Sequence, residues 1–131
     1  MNVGDELAAL PVSEISRRTL ALYAGASGDH NPVHIDFDAA REVGYDDVFA
    51  HGMLSMAYLG RLLTDAVPQD RIRSLRVRFT PITPVHAEPV CAGTVVAIEE
   101  IDGAKRAVLD LTVILADCTV TVRGDAVVAI D

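Results

Sequence analysis

The hydrophobic rhythm of the chain changes near residue 70. Before that point, apolar residues recur at helical spacing; after it, they alternate with polar ones. Leu20, Tyr23 and Ala24 fall at i, i+3 and i+4, which predicts a helix with one apolar face, capped by Ser16 and running to about Ala26. Gly25 and Gly28 weaken that helix and Pro32 stops it, so Asp29 to Ile35 is predicted as a loop. Asp36 or Asp38 is placed to cap a short second helix through Ala39, Ala40 and Val43, ended by Gly44. A third helix is predicted from Gly52 to just before Pro68. Its Met53, Leu54, Met56, Ala57, Tyr58, Leu59, Leu62 and Leu63 cover most of its circumference, the pattern of a helix that other elements must surround.

The second half supplies the surround. Leu75, Val77 and Phe79 alternate with Arg76 and Arg78. Rows of period two follow through Val90 to Ile98, Leu109 to Leu115 and Val120 to Val122, each with one face fit for a core. Asp102-Gly103 is a hairpin signal, and a second turn is predicted near Ala116-Asp117-Cys118. Pro81, Pro84 and Pro89 keep the stretch before Val90 out of a central ladder. The expected fold is α+β: one long antiparallel sheet wrapped around one buried helix, the hot-dog arrangement, in a single domain over residues 1–131. One such layer leaves a sheet edge and much of a face open, so a dimer or higher assembly is expected.

Composition narrows the class. Half of the residues are apolar and 23% are charged, which supplies a core and argues against disorder. The net charge of −8 argues against nucleic acid as a partner. The opening Met1 to Glu6 lacks a leader pattern and no apolar run is long enough to span a bilayer, so a cytoplasmic protein without a membrane partner is expected. Against the acidic background, residues 61–78 carry five arginines and two aspartates. Arg76 and Arg78 are therefore candidates for the phosphates of an anionic ligand, or else charged gatekeepers of a strand edge. Cys91 and Cys118 show no metal-ligand spacing and are expected as buried, reduced thiols.

The candidate chemistry lies between the first and third helices. Asp29 and His34 sit five residues apart on the Gly- and Pro-bounded loop Ser27-Gly28-Asp29-His30-Asn31-Pro32-Val33-His34. Ala50-His51-Gly52-Met53 then places a glycine at the start of the apolar helix. A carboxylate and an imidazole move the protons of a water, and a helix N-terminus stabilises a negative oxygen. Gly52 would also let a substrate carbonyl approach the backbone with no Cβ in the way. His51 is expected to serve loop packing, Met53 and Met56 the core, and Tyr45 and Phe49 are candidates to line or gate a pocket.

The run Tyr23 to Asp36, with Ala50-His51-Gly52-Met53-Leu54 after it, resembles the MaoC-like (R)-specific enoyl-CoA hydratases and the related (3R)-hydroxyacyl-ACP dehydratases. The resemblance is strongest over about Tyr23 to Leu63. It implies a hot-dog fold and reversible hydration of trans-2-enoyl thioesters to (R)-3-hydroxyacyl thioesters. It implies Asp29 and His34 as the catalytic pair sharing a water, the Gly52 amide as the receptor of the thioester oxygen, and Asn31 as the residue holding the loop or the water. No metal and no redox cofactor is implied; the substrate is an acyl-CoA or an acyl-ACP. The same run is similar to the catalytic subunit of two-subunit dehydratases, so a partner is expected to be either a second copy or a second hot-dog chain. A hot-dog thioesterase and a non-catalytic acyl-thioester-binding subunit are the competing readings. The chain departs from the family's pattern at Ala87-Glu88-Pro89, where many relatives have Gly-Asp. It also departs at Gly60, where some hydratases carry a serine.

Overall fold

The fold is that of a computed structural model, which describes residues 1–130. In chain order the elements are β1 (Leu10–Pro11), α1 (Arg17–Ser27), α2 (Phe37–Glu42), α3 (Gly52–Ala66), β2 (Ile72–Phe79), β3 (Val90–Ile101), β4 (Ala104–Ile114) and β5 (Val120–Ala129). Single 3-10 turns at Pro32–His34 and Gln69–Arg71 complete them.

The helix boundaries follow their caps. Ser16 accepts from the Thr19 amide at 3.1 Å and opens α1, and Gly28 closes it in a left-handed conformation, φ 78°. Asp36, rather than Asp38, caps α2 by accepting from the Asp38 amide. Asp102 and Gly103 both take positive φ in the β3–β4 turn, as a tight hairpin requires.

The five strands form one antiparallel sheet in the order β1-β3-β4-β5-β2. The short β1 escapes a periodicity argument because two residues carry no pattern. The register slips between Val95 and Ala97 on β3 and between Val113 and Ile114 on β4. Such bulges increase local twist and let a sheet curl. Inward residues of the curled face, among them Val95, Leu109, Leu111, Val122 and Val128, meet Leu54, Leu59, Leu62 and Leu63 of α3 in one core. Burying each such side chain is worth about 1.5–3 kcal/mol.

The sheet wraps α3 on one side only. Met53, Ala57, Arg61 and Thr64 face outward, and Met53 is 56% exposed. The all-round apolar pattern therefore includes residues that this chain alone leaves open. Cys91 is buried as expected, but Cys118 is exposed in the β4–β5 turn at φ 70°. It belongs to the predicted Ala116-Asp117-Cys118 corner, and the turn there leaves its thiol open to solvent. No helix among the described residues is long and apolar enough to cross a membrane.

The loop between β2 and β3 positions the site. It binds the approach to α3: Ala50 donates to the Thr83 carbonyl at 2.8 Å, and Phe49 bridges to Pro84. On its other side, the His86 amide donates to Ile15 at 2.7 Å. The three prolines remove this stretch from the ladder and leave it free to clamp residues 48–50.

Candidate active site

The loop after α1 is built from its own side chains. The Asp29 amide donates to Ser27 Oγ at 3.1 Å, and the Asn31 amide donates to Asp29 Oδ1 at 3.2 Å. Asn31 Oδ1 in turn accepts from the Val33 amide at 3.2 Å and caps the 3-10 turn that carries His34. These are the local turns that Asp and Asn make with following amides. Asn31 thus shapes the loop. One oxygen of Asp29 is used in the turn, and the other is free to face His34.

His34 is nearly buried and its orientation is fixed by the clamp on residues 48–50. Its Nδ1 lies 2.7 Å from the Phe49 carbonyl oxygen. A carbonyl only accepts, so Nδ1 carries the hydrogen and the neutral ring keeps its lone pair on Nε2. That Nε2 lies 3.9 Å from Asp29 Oδ2. The gap is too long for a direct hydrogen bond and within the reach of one water bonded to both. The Asp29 side chain is 53% exposed, so it keeps contact with solvent while His34 does not.

His34 and Gly52 line a common cavity of about 200 Å³ with Phe49, Phe79, Ile82 and Val122. Gly52 is the first residue of α3, and neither its amide nor that of Met53 meets an acceptor among the described residues. The positive end of the helix dipole therefore opens toward the cavity beside His34. A Cβ at Gly52 would lie 3.3 Å from the ring of Phe79, so the missing side chain makes room for that ring. Phe79 is the wall the sequence reading missed; its place in an alternating strand pattern gave only its face.

Ser55 also escaped the sequence reading, and His51 was expected only to serve loop packing. Ser55, one turn into α3 from Gly52, is 1% exposed and lines the cavity, yet its hydroxyl makes no hydrogen bond to the protein among the described residues. His51 is 1% exposed and stacks on His34, with ring centroids 3.9 Å apart at 26°. Its Nε2 donates to the Asp29 carbonyl at 3.1 Å. Burial holds the His51 pKa below the ordinary 6.5; the contact with Asp29 opposes that shift and the neighbouring His34 adds to it.

The remaining candidates separate. Phe49 reaches the cavity wall, whereas Tyr45 stands behind it, 4.7 Å from the Phe49 ring and lining a neighbouring recess. Arg76 pairs with Asp125 at 3.1 Å. Arg78 lies opposite Arg123 in the β2–β5 register, and both border the same outer recess. Asp29, His34 and His51 bring one donor atom each within 4.8 Å. Two of their four ring nitrogens are taken by carbonyls, and His51 Nδ1 is sealed inside the protein. What is left open is the pair Asp29 Oδ2 and His34 Nε2, a geometry suited to a water.

A curled antiparallel sheet around a central helix, with a carboxylate–imidazole pair at that helix's N-terminus, defines a hot-dog fold equipped for acid–base chemistry on water. The chain belongs to the MaoC-like family, whose "MaoC like domain" matches residues 2–119. Hydration and dehydration of enoyl and hydroxyacyl thioesters, hydro-lyase chemistry, is the activity of this superfamily. The chain is 32% identical over 133 residues to a "UPF0336 protein" of Saccharopolyspora erythraea, covering 95% of this chain and 82% of that one. It is 32% identical over 98 residues to the mitochondrial 3-hydroxyacyl-[acyl-carrier-protein] dehydratase of Arabidopsis thaliana, covering 75% of this chain and 57% of that protein. Among solved structures, the R-hydratase PhaJ1 of Pseudomonas aeruginosa superposes with a TM-score of 0.84 at 28% identity, covering 98% of this chain and 82% of that one.

Proposed function

We propose that this protein is an (R)-specific enoyl-thioester hydratase that also runs in reverse as a 3-hydroxyacyl dehydratase. The observation that carries the reading is the 3.9 Å gap between Asp29 Oδ2 and His34 Nε2, beside the open amide of Gly52. A water bridging that gap donates one hydrogen to each group and turns a lone pair to the substrate. As its oxygen bonds to C3, Asp29 accepts its proton, and the electrons of the C2–C3 double bond move to the thioester oxygen. The Gly52 amide and the helix dipole stabilise that oxygen. The dyad then returns a proton to C2, so that H and OH have been added across the double bond. Dehydration reverses each step with the same groups.

Asp29→Asn tests this reading. Loss of crotonyl-CoA hydration in a variant that keeps the parent fold supports it, and a parent-like rate ends it. General acid–base catalysis by one such group is worth about 10²–10⁴-fold.

The carrier, on this reading, is CoA or an acyl carrier protein, and Arg78 with Arg123 is the cationic pair available to its phosphates. An Arg78→Ala/Arg123→Ala variant is expected to raise KM for a CoA ester and to flatten its salt dependence. Unchanged KM would remove the pair from the site. The apolar side chains Ile35, Phe37, Met53 and Phe79, all at least two-fifths exposed around the site, are further read as the face that a second copy of this chain covers. Light scattering tests that: a dimer mass is expected, and a monomer at micromolar concentration would contradict it.

A further inference from the structure

His51 touches both halves of the dyad and directly precedes the amide that completes it. Its ring lies flat on His34, 3.9 Å between centroids. Its Nε2–H reaches back across 22 residues to the Asp29 carbonyl, at 3.1 Å. Its own main chain is the N-cap of α3, with the Leu54 amide donating to its carbonyl at 3.1 Å. The carboxylate, the imidazole and the Gly52 amide come from three separate elements, and one residue connects them.

Packing alone does not account for a histidine here. The site is 1% exposed, and Nδ1 is buried without a partner. An unmade hydrogen bond on a buried nitrogen destabilises the fold, and an apolar ring of similar size would avoid it. The polar atom the ring does use is Nε2, and it is spent on the residue that carries the carboxylate. The groups facing His51 are His34 from the 3-10 turn, Asp29 from the loop and the Tyr23 ring edge from α1, 4.8 Å away. With Nε2 donating to a carbonyl, the neutral ring has its lone pair on Nδ1. Burial and the neighbouring His34 both favour that neutral form. A neutral plate against His34 leaves that ring free to take up charge during proton transfer, whereas a cationic one would oppose it.

We propose that His51 is the positioning residue of this site, setting the spacing between Asp29 and His34 and fixing both against the start of α3 through its Nε2–H and its ring face. The proposal rests on the hydratase reading. It makes His51 a part of the machinery that never meets the substrate.

Two substitutions separate the two contacts. His51→Phe keeps a ring to stack on His34 and loses the donor; His51→Gln keeps a donor and loses the ring. The expected result, with crotonyl-CoA as the probe, is a fall in kcat of tenfold or more in each. KM is expected within twofold of the parent, and the acid limb of the kcat/KM profile displaced. Either variant, folded by circular dichroism, that keeps the parent's kcat and pH profile within twofold overturns the proposal. The unaltered protein provides a second measurement that needs no variant to fold. Imidazole ¹⁵N spectra above pH 6.5 are expected to show His51 as the neutral Nε2–H tautomer, opposite to the Nδ1–H form that the Phe49 carbonyl selects in His34. A His51 that carries its hydrogen on Nδ1, or that titrates together with His34, overturns it. Asp29→Asn, run beside these, tells the two failures apart. Activity surviving in Asp29→Asn removes the hydratase reading and this proposal with it. Activity lost there but kept in both His51 variants removes this proposal alone.

Discussion

His34 Nδ1 lies 2.7 Å from the carbonyl oxygen of Phe49, and that contact decides which nitrogen of the ring meets Asp29. The Phe49 carbonyl is itself held in place, because residues 48–50 are hydrogen-bonded to the loop after β2. The tautomer at the site is thus set by a clamp whose parts lie some 35 residues apart in sequence.

The Gly52 amide is open to a direct test. Proline is tolerated at the first position of a helix, and His51, at φ −58° and ψ 134°, already has the extended backbone that precedes a proline. Gly52→Pro deletes the N–H while the helix survives. Because any Cβ at this position meets Phe79 at 3.3 Å, Gly52→Ala is the control for that contact. Gly52→Pro is expected to lower kcat by about 10²–10³-fold, the usual loss for one oxyanion donor. Gly52→Ala is expected to lose far less. Steady-state rates of enoyl-CoA hydration compare the two.

Ser55 gives a prediction in which activity changes and stability does not. Its hydroxyl has no protein partner among the described residues and opens onto the cavity, so Ser55→Ala breaks no hydrogen bond of the fold and is expected to leave the melting temperature unchanged. If the hydroxyl bonds to substrate in the cavity, catalytic efficiency falls by about tenfold, the worth of one such bond. A parallel loss of both stability and activity would assign Ser55 to packing instead.

His51 makes stability depend on pH. Its native pKa lies below the ordinary 6.5, mainly through burial. Below pH 6.5 the unfolded chain therefore binds a proton that the native chain refuses, and stability rises with pH there. This contribution is fully present above about pH 6.5 and is lost as pH falls through the native value. Subtracting His51→Phe from the parent cancels the carboxylates that titrate in both. The difference in unfolding free energy between the two, from denaturant titrations at pH 5 and 7.5, is expected to shift against the parent at the lower pH. A difference independent of pH would show that His51 is not held neutral by the fold.

The two thiols are expected to behave differently. Burial pushes the Cys91 thiol up to about 11, while Cys118 is exposed in its turn. Since the thiolate is the reactive form, a maleimide is expected to label one thiol in the native protein and two after denaturation. Mass spectrometry of the modified peptides identifies which. Labelling of Cys91 in the native state would contradict the burial described above.

The sequence carried much of this, in a recognisable way. Helix caps at Ser16 and Asp36, the Asp102-Gly103 turn and the alternating strands are local signals, and the structure places them where the periodicity does. Asp29 and His34 were legible because they sit only five positions apart on one loop. What stayed hidden depends on contacts distant in the chain. The stacking of His51 on His34 joins residues 17 apart, and the Phe79 wall on Gly52 joins residues 27 apart. Cys118 was expected buried like Cys91, although the turn predicted at Ala116-Asp117-Cys118 carries it out to solvent. Arg76 looked free for a ligand because nothing in the pattern announces Asp125 across the ladder.

On the reading proposed above, this site adds water to a double bond and leaves the thioester intact. Incubation of the purified protein with crotonyl-CoA, following enoyl absorbance, free thiol and the configuration of the product together, tests it most directly. Enoyl absorbance is expected to fall with no thiol released, and the product is expected to be (R)-3-hydroxybutyryl-CoA. Release of free CoA with the enoyl group intact, or an (S) product, would contradict it.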